Sequence, residues 1–78
     1  MQISLVDYMA FLSGLFYVSD LKDPSLRNDA KLARILEALP PEAESLFGWN
    51  DALEYLFNEP PAQTQEEARA RLIAKLRS

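Results

Sequence analysis

The chain contains no cysteine and no histidine. Without cysteine it has no disulfide staple and no thiolate ligand, which fits a reducing compartment. With both residues missing, it lacks the commonest general base, the best neutral-pH nucleophile and the usual zinc ligands. Any catalysis would fall to Asp, Glu, Lys, Tyr or Ser alone. The expectation is a protein that is not an enzyme and uses no cofactor. A calcium loop is missing too. Such loops alternate oxygen ligands around a glycine, and the acid-rich stretch 20–29 has no glycine and contains Pro24.

The amino-terminal stretch MQISLVDYMAFLSGLFYVSDL has no Lys or Arg ahead of its apolar part, and Asp7 interrupts that part. A secretory signal needs a basic start, and a membrane span needs about 20 apolar residues with few charges. The expectation is a core helix of a cytoplasmic protein that does not enter a membrane.

Basic residues are missing from the middle of the chain. Residues 40–63 carry five acids (Glu42, Glu44, Asp51, Glu54 and Glu59) and no Lys or Arg, which makes the segment −5 in a molecule of net −4. The same 24 residues hold Phe47, Trp49, Tyr55 and Phe57, four of the eight aromatic residues. Residues 64–78, with Glu66 and Glu67 against Arg69, Arg71, Lys75 and Arg77, are +2. An acidic block of this kind argues against phosphate backbones as partners and favours a basic protein surface.

What is present specifies a helical protein. The apolar fraction, 49%, is that of a globular chain. Prolines at 24, 40–41 and 60–61 mark element boundaries, because proline is tolerated in a helix's first turn but breaks its interior. Hydrophobic spacing at 3.6 residues predicts a first helix over about 4–18, with a short strand at Leu15–Val18 as the alternative, because those residues are aromatic and branched. Tyr8, Phe11, Leu12, Leu15, Phe16, Leu5 and Met9 cover one broad side of the helix, and Gly14 would be excused by close approach of a neighbouring helix. A second helix ends at Leu39, starting from a cap at Asp23 or Asn28. Its Arg27, Lys31 and Arg34 form a solvated outer stripe. One or two helical turns over 41–47 stop at Gly48, and a short helix capped by Asn50 or Asp51 runs to about Asn58. The last helix opens with a capping box, Thr64 with Glu67. Together these predict an all-α, small single-domain bundle of four to five short helices over residues 1–78, wrapped around the first helix.

The run FGWNDALEYLF (residues 47–57) is the candidate site. At helical spacing Ala52, Leu53, Leu56 and Phe57 turn inward, while Asp51, Glu54, Tyr55 and Asn58 turn outward. The protein-binding candidates are Glu44, Trp49, Asp51, Glu54 and Tyr55, with Trp49 open between core and interface. Aromatic residues carry much of the affinity at interfaces, and carboxylates steer basic partners. The expected function is a small acidic protein-binding domain acting through an acidic-aromatic surface in residues 42–59, as an adaptor, an inhibitor, or an antitoxin- or immunity-like regulator. Its partner would be another protein with a basic surface.

Three rival readings come from other classes. Glu44-Ser45-Leu46 and Pro24-Ser25-Leu26 loosely resemble the Asp-Ser-Leu motif of acyl carrier proteins, acidic four-helix domains of similar length that carry phosphopantetheine on the serine. That resemblance covers three residues. It implies a carrier modified on Ser45, but Glu stands where the family has Asp, and the expected stop at Gly48 would remove the helix that should follow. A homo-oligomer would use surplus apolar surface on the first helix. A small nucleic-acid-binding regulator has little support, since three cations contribute little phosphate affinity and no helix combines a basic face with a run of base-reading residues.

Overall fold

The computed structural model describes residues 3–78 and is all-α. Helix α1 spans Leu5–Leu12, α2 Asp29–Glu37, α3 Leu46–Phe57 and α4 Gln65–Arg77; short 3-10 turns occupy Val18–Lys22 and Pro41–Ala43. The α3–α4 pair forms the centre, with α2 packed on α4 and α1 on α3. The first helix is therefore a flank and not the hub the hydropathy suggested. The core gathers Leu5, Met9, Leu21, Leu32, Leu36, Trp49, Leu53 and Leu72, all essentially without solvent contact.

Helix α1 is half its expected length. Ser4 caps it, its Oγ accepting from the Asp7 N–H at 3.1 Å. Leu5, Val6, Met9 and Ala10 form its buried stripe. Gly14 ends the helix with a left-handed φ of +72°. Its N–H bonds to Phe11 O and the Leu15 N–H reaches back to Ala10 O, both at 3.0 Å. This double closure is the Schellman arrangement, which favours glycine because a Cβ is disfavoured at positive φ. No neighbouring helix approaches Gly14; a Cβ there would meet nothing within 4 Å. Gly14→Ala should therefore lower stability by about 1 kcal/mol through backbone strain alone. Urea unfolding would show it, and an unchanged midpoint would mean that the turn relaxes freely. Because the chain turns away at Gly14, Phe11 and Phe16 are not core residues; they are 75% and 99% exposed.

Helix α2 starts at the later of the two candidate caps. Asn28 Oδ1 accepts from the Lys31 N–H at 3.2 Å, and Leu32, Ala33 and Leu36 are buried. Asp23 instead closes a local turn onto Ser25. The expected stripe of three solvated cations forms only in part. Arg27 precedes the helix, and its side chain is only 4% exposed, bound to Asp29. Lys31 and Arg34 are both exposed, as expected, and Lys31 Nζ bonds to Leu12 O at 3.1 Å, tying α2 to the end of α1.

The largest departure lies in the third quarter. Gly48 does not stop a helix: α3 runs straight through it. Ser45 is the cap, its Oγ accepting from the Gly48 N–H at 3.0 Å. A glycine in the first helical turn is cheap, because the N–H groups there have no intrahelical partner and the cap satisfies this one. The stop comes at Asn58, in the left-handed region at φ 54°. Asn50, expected as a cap, instead clamps the following loop. Its Nδ2 donates to Ala62 O at 3.0 Å, and its Oδ1 accepts from the Ala62 N–H at 2.8 Å. Thr64 does cap α4, accepting from the Glu67 N–H at 3.1 Å, while the Glu67 carboxylate accepts from Gln63 N–H. Among the described residues no helix is long and apolar enough to cross a membrane.

An acidic groove beside Phe47

Once α3 begins at Ser45, its two faces are fixed. Trp49, Ala52, Leu53 and Leu56 fall on the buried face. Phe47, Asp51 and Glu54 are four and three residues apart and share the outer stripe, as residues at i, i+4 and i+7 must. Phe47 is 81% exposed. Beside this stripe runs the 58–63 loop, held by the Asn50 clamp and by the Glu59 N–H bonding to Leu53 O at 3.3 Å. Helix and loop enclose an open groove of about 560 Å³, with Leu46, Phe47 and Pro61 as apolar wall and Asp51, Glu54 and Glu59 as acidic rim.

The rim carboxylates are not equivalent. Glu59 is shared by Arg71 at 3.4 Å and Lys75 at 3.7 Å. Asp51 and Glu54 have no ion-pair partner among the described residues. Their charge is available to an incoming cation.

Of the five residues expected from sequence, the structure brings two, Asp51 and Glu54, to this groove. Trp49 is completely buried, and its Nε1 donates to Pro41 O at 2.8 Å. It anchors the 3-10 turn to the core and is not available to a partner in the folded protein. Glu44 folds back over Gly48, filling the space a Cβ would take, and its Oε1 accepts from the Ser45 N–H at 2.8 Å. Tyr55 is half-buried on another wall, beneath Lys22, whose Nζ lies 4.6 Å from the ring centroid. That wall belongs to a second open cleft, about 690 Å³, where Lys22, Arg27 and Lys75 stand near Tyr55 and Phe57. Glu54 borders both depressions.

Sequence reasoning missed Phe47 and Glu59. Phe47 was legible only with the helix start placed at Ser45, since 47, 51, 54 and 58 then make one stripe. Glu59 lies beyond the helix, and its position depends on the loop clamp. Ser45 caps a full helix, so one departure from the carrier motif disappears, although Glu44 still precedes it. No known protein family, curated protein or solved structure matches this chain.

Proposed function

We propose that this chain is a non-enzymatic protein-binding domain that captures a cationic segment of another protein in the groove beside Phe47. The observation that carries the reading is an exposed phenylalanine flanked by two unpaired carboxylates and an apolar wall. Lys and Arg have an aliphatic stem and a charged head. The stem would lie on Phe47, Leu46 and Pro61 while the head meets Asp51 or Glu54. Phosphate-bearing partners would be repelled. Steering by these carboxylates makes binding sensitive to salt.

Panning a random displayed-peptide library against the folded domain tests this. Enriched peptides should combine Lys or Arg with an aliphatic or aromatic residue. Phe47→Ser should weaken them by roughly tenfold or more, as removal of an interface anchor does, and Asp51→Lys with Glu54→Lys should abolish binding. Peptides without a charge bias, or affinities unmoved by these variants, would end the proposal.

A further inference from the structure

We infer that the cleft lined by Lys22, Tyr55 and Lys75 binds a small organic acid, a single carboxylate on an apolar body. The cleft lies where four elements meet. The end of the Val18–Lys22 turn, the start of α2 and the ends of α3 and α4 each supply part of its lining. Its volume of about 690 Å³ falls in the range of small-molecule sites. It is separate from the groove beside Phe47 and shares only Glu54 with it.

The charges in the cleft select an anion. Lys22, Arg27 and Lys75 line it together with Asp29 and Glu54. Arg27 and Asp29 answer each other at 2.8 Å. Lys22 has no carboxylate partner among the described residues; its Nζ rests 4.6 Å from the centre of the Tyr55 ring. A ring holds an ammonium through its quadrupole and leaves the unit charge in place. Lys75 stands 3.7 Å from Glu59, a carboxylate it shares with Arg71. Two ammonium groups thus stand against Glu54, which suits one negative charge and not several. A polyanion would also meet the net charge of −4.

The apolar half of the ligand has a matching surface. Pro24 and Phe57 line the cleft, and the stems of Lys22 and Lys75 add methylene groups. Arg27 fixes this wall before any ligand arrives. Its guanidinium lies 4.8 Å over the Phe57 ring and donates to Leu21 O at 2.7 Å, one residue from Lys22. A site held in this way loses little freedom on binding.

Titration of the folded protein with phenylacetate, followed through amide chemical shifts by NMR, tests the inference. Phenylacetate should bind with a Kd on the order of 1 mM, as so small a ligand does. Its shifts should cluster around Lys22, Tyr55 and Lys75 and spare Phe47. Phenethylamine and phenethyl alcohol, which keep the ring and lack the carboxylate, should bind at least about fivefold more weakly. Lys22 is exposed, so Lys22→Gln should fold as wild type does and weaken phenylacetate by roughly fivefold or more. Glu54→Gln should bind it more tightly, because a like charge leaves the shared wall. No saturable shift by about ten times the expected Kd would overturn the inference. So would an alcohol that binds as well as the acid, shifts centred on Phe47, an affinity indifferent to Lys22→Gln, or weaker binding by Glu54→Gln. Displacement of phenylacetate by an equal concentration of inorganic phosphate would overturn it in favour of a general anion site. Tighter binding of oligoglutamate in the cleft would overturn it in favour of a protein segment.

Discussion

Trp49→Ala should remove a large share of the protein's stability. The indole is the largest fully buried side chain, on the helix at the centre of the bundle, and truncating a buried Trp costs about 3–5 kcal/mol. A 78-residue chain has a total stability of only about 4–12 kcal/mol at the usual value per residue. The substitution also strands Pro41 O, which loses the Nε1–H bond that ties the 3-10 turn to α3. Trp49→Phe keeps most of the volume and should cost about 1–2 kcal/mol, from the smaller ring and the missing hydrogen bond. Urea titration followed by far-UV circular dichroism measures both; the backbone signal is needed because Trp49 is the only tryptophan. A loss below about 1 kcal/mol for Trp49→Ala would show that the bundle closes without the indole.

The same residue shows what could be read from the chain and what could not. Helix content was legible because prolines and polar caps punctuate a 3.6-residue pattern. Asn28 and Thr64 act as caps through local bonds that need no tertiary context. The errors came from the two glycines, whose role depends on where they fall in a turn. Helical periodicity puts Gly14 inside a helix, yet it ends one; it puts Gly48 at an end, yet Gly48 lies in a first turn. Each misplacement re-aimed the aromatics beside it. Continuing α1 past Gly14 put Phe11 and Phe16 in the core, whereas the chain turns there and leaves both in solvent. Ending a helix at Gly48 hid the fact that Trp49 shares its inward face with Leu53 and Leu56 and that Phe47 shares its outer stripe with Asp51 and Glu54. Hydrophobicity could not correct this, since a small domain leaves much apolar surface in water.

Charge was legible as a block but not as a surface. The acidity of residues 40–63 is a property of composition, whereas its distribution depends on tertiary contacts. Glu59 is drawn to Arg71 and Lys75 of α4, and Glu44 turns back over Gly48. Glu37, outside the block, pairs with Arg77, forty residues away. The Arg77 hydrogen bond holds the Glu37 carboxyl below its ordinary value, against a smaller opposing effect of burial. Local spacing predicts none of these partners. What remains unpaired near Phe47 is the part of the charge that a binding proposal can use.

Arg27→Ala should be the most damaging change to a charged residue. The guanidinium joins three elements. Its Nε donates to Asp29 Oδ1 at 2.8 Å, its Nη1 donates to Leu21 O at 2.7 Å, and its plane lies 4.8 Å over the Phe57 ring. It thereby connects the Val18–Lys22 turn, the start of α2 and the end of α3. Removing one partner of a fully buried pair costs about 3–5 kcal/mol. Asp29 is 31% exposed, so water takes up part of its charge, and the expected loss falls to about 2–3 kcal/mol. Arg27→Lys keeps the charge but cannot hold the carboxylate and the Leu21 carbonyl with one planar fork, and should lose about 1–2 kcal/mol. Arg27→Met restores the aliphatic stem over Phe57 and should recover part of the alanine loss. Asp29→Ala added to Arg27→Ala should cost little more, since the two residues act as one unit. Chemical denaturation of the four variants measures the series. If Arg27→Ala lies within about 0.5 kcal/mol of wild type, as an ordinary surface substitution would, the guanidinium does not join these elements, and the Val18–Lys22 turn is held by Leu21 alone.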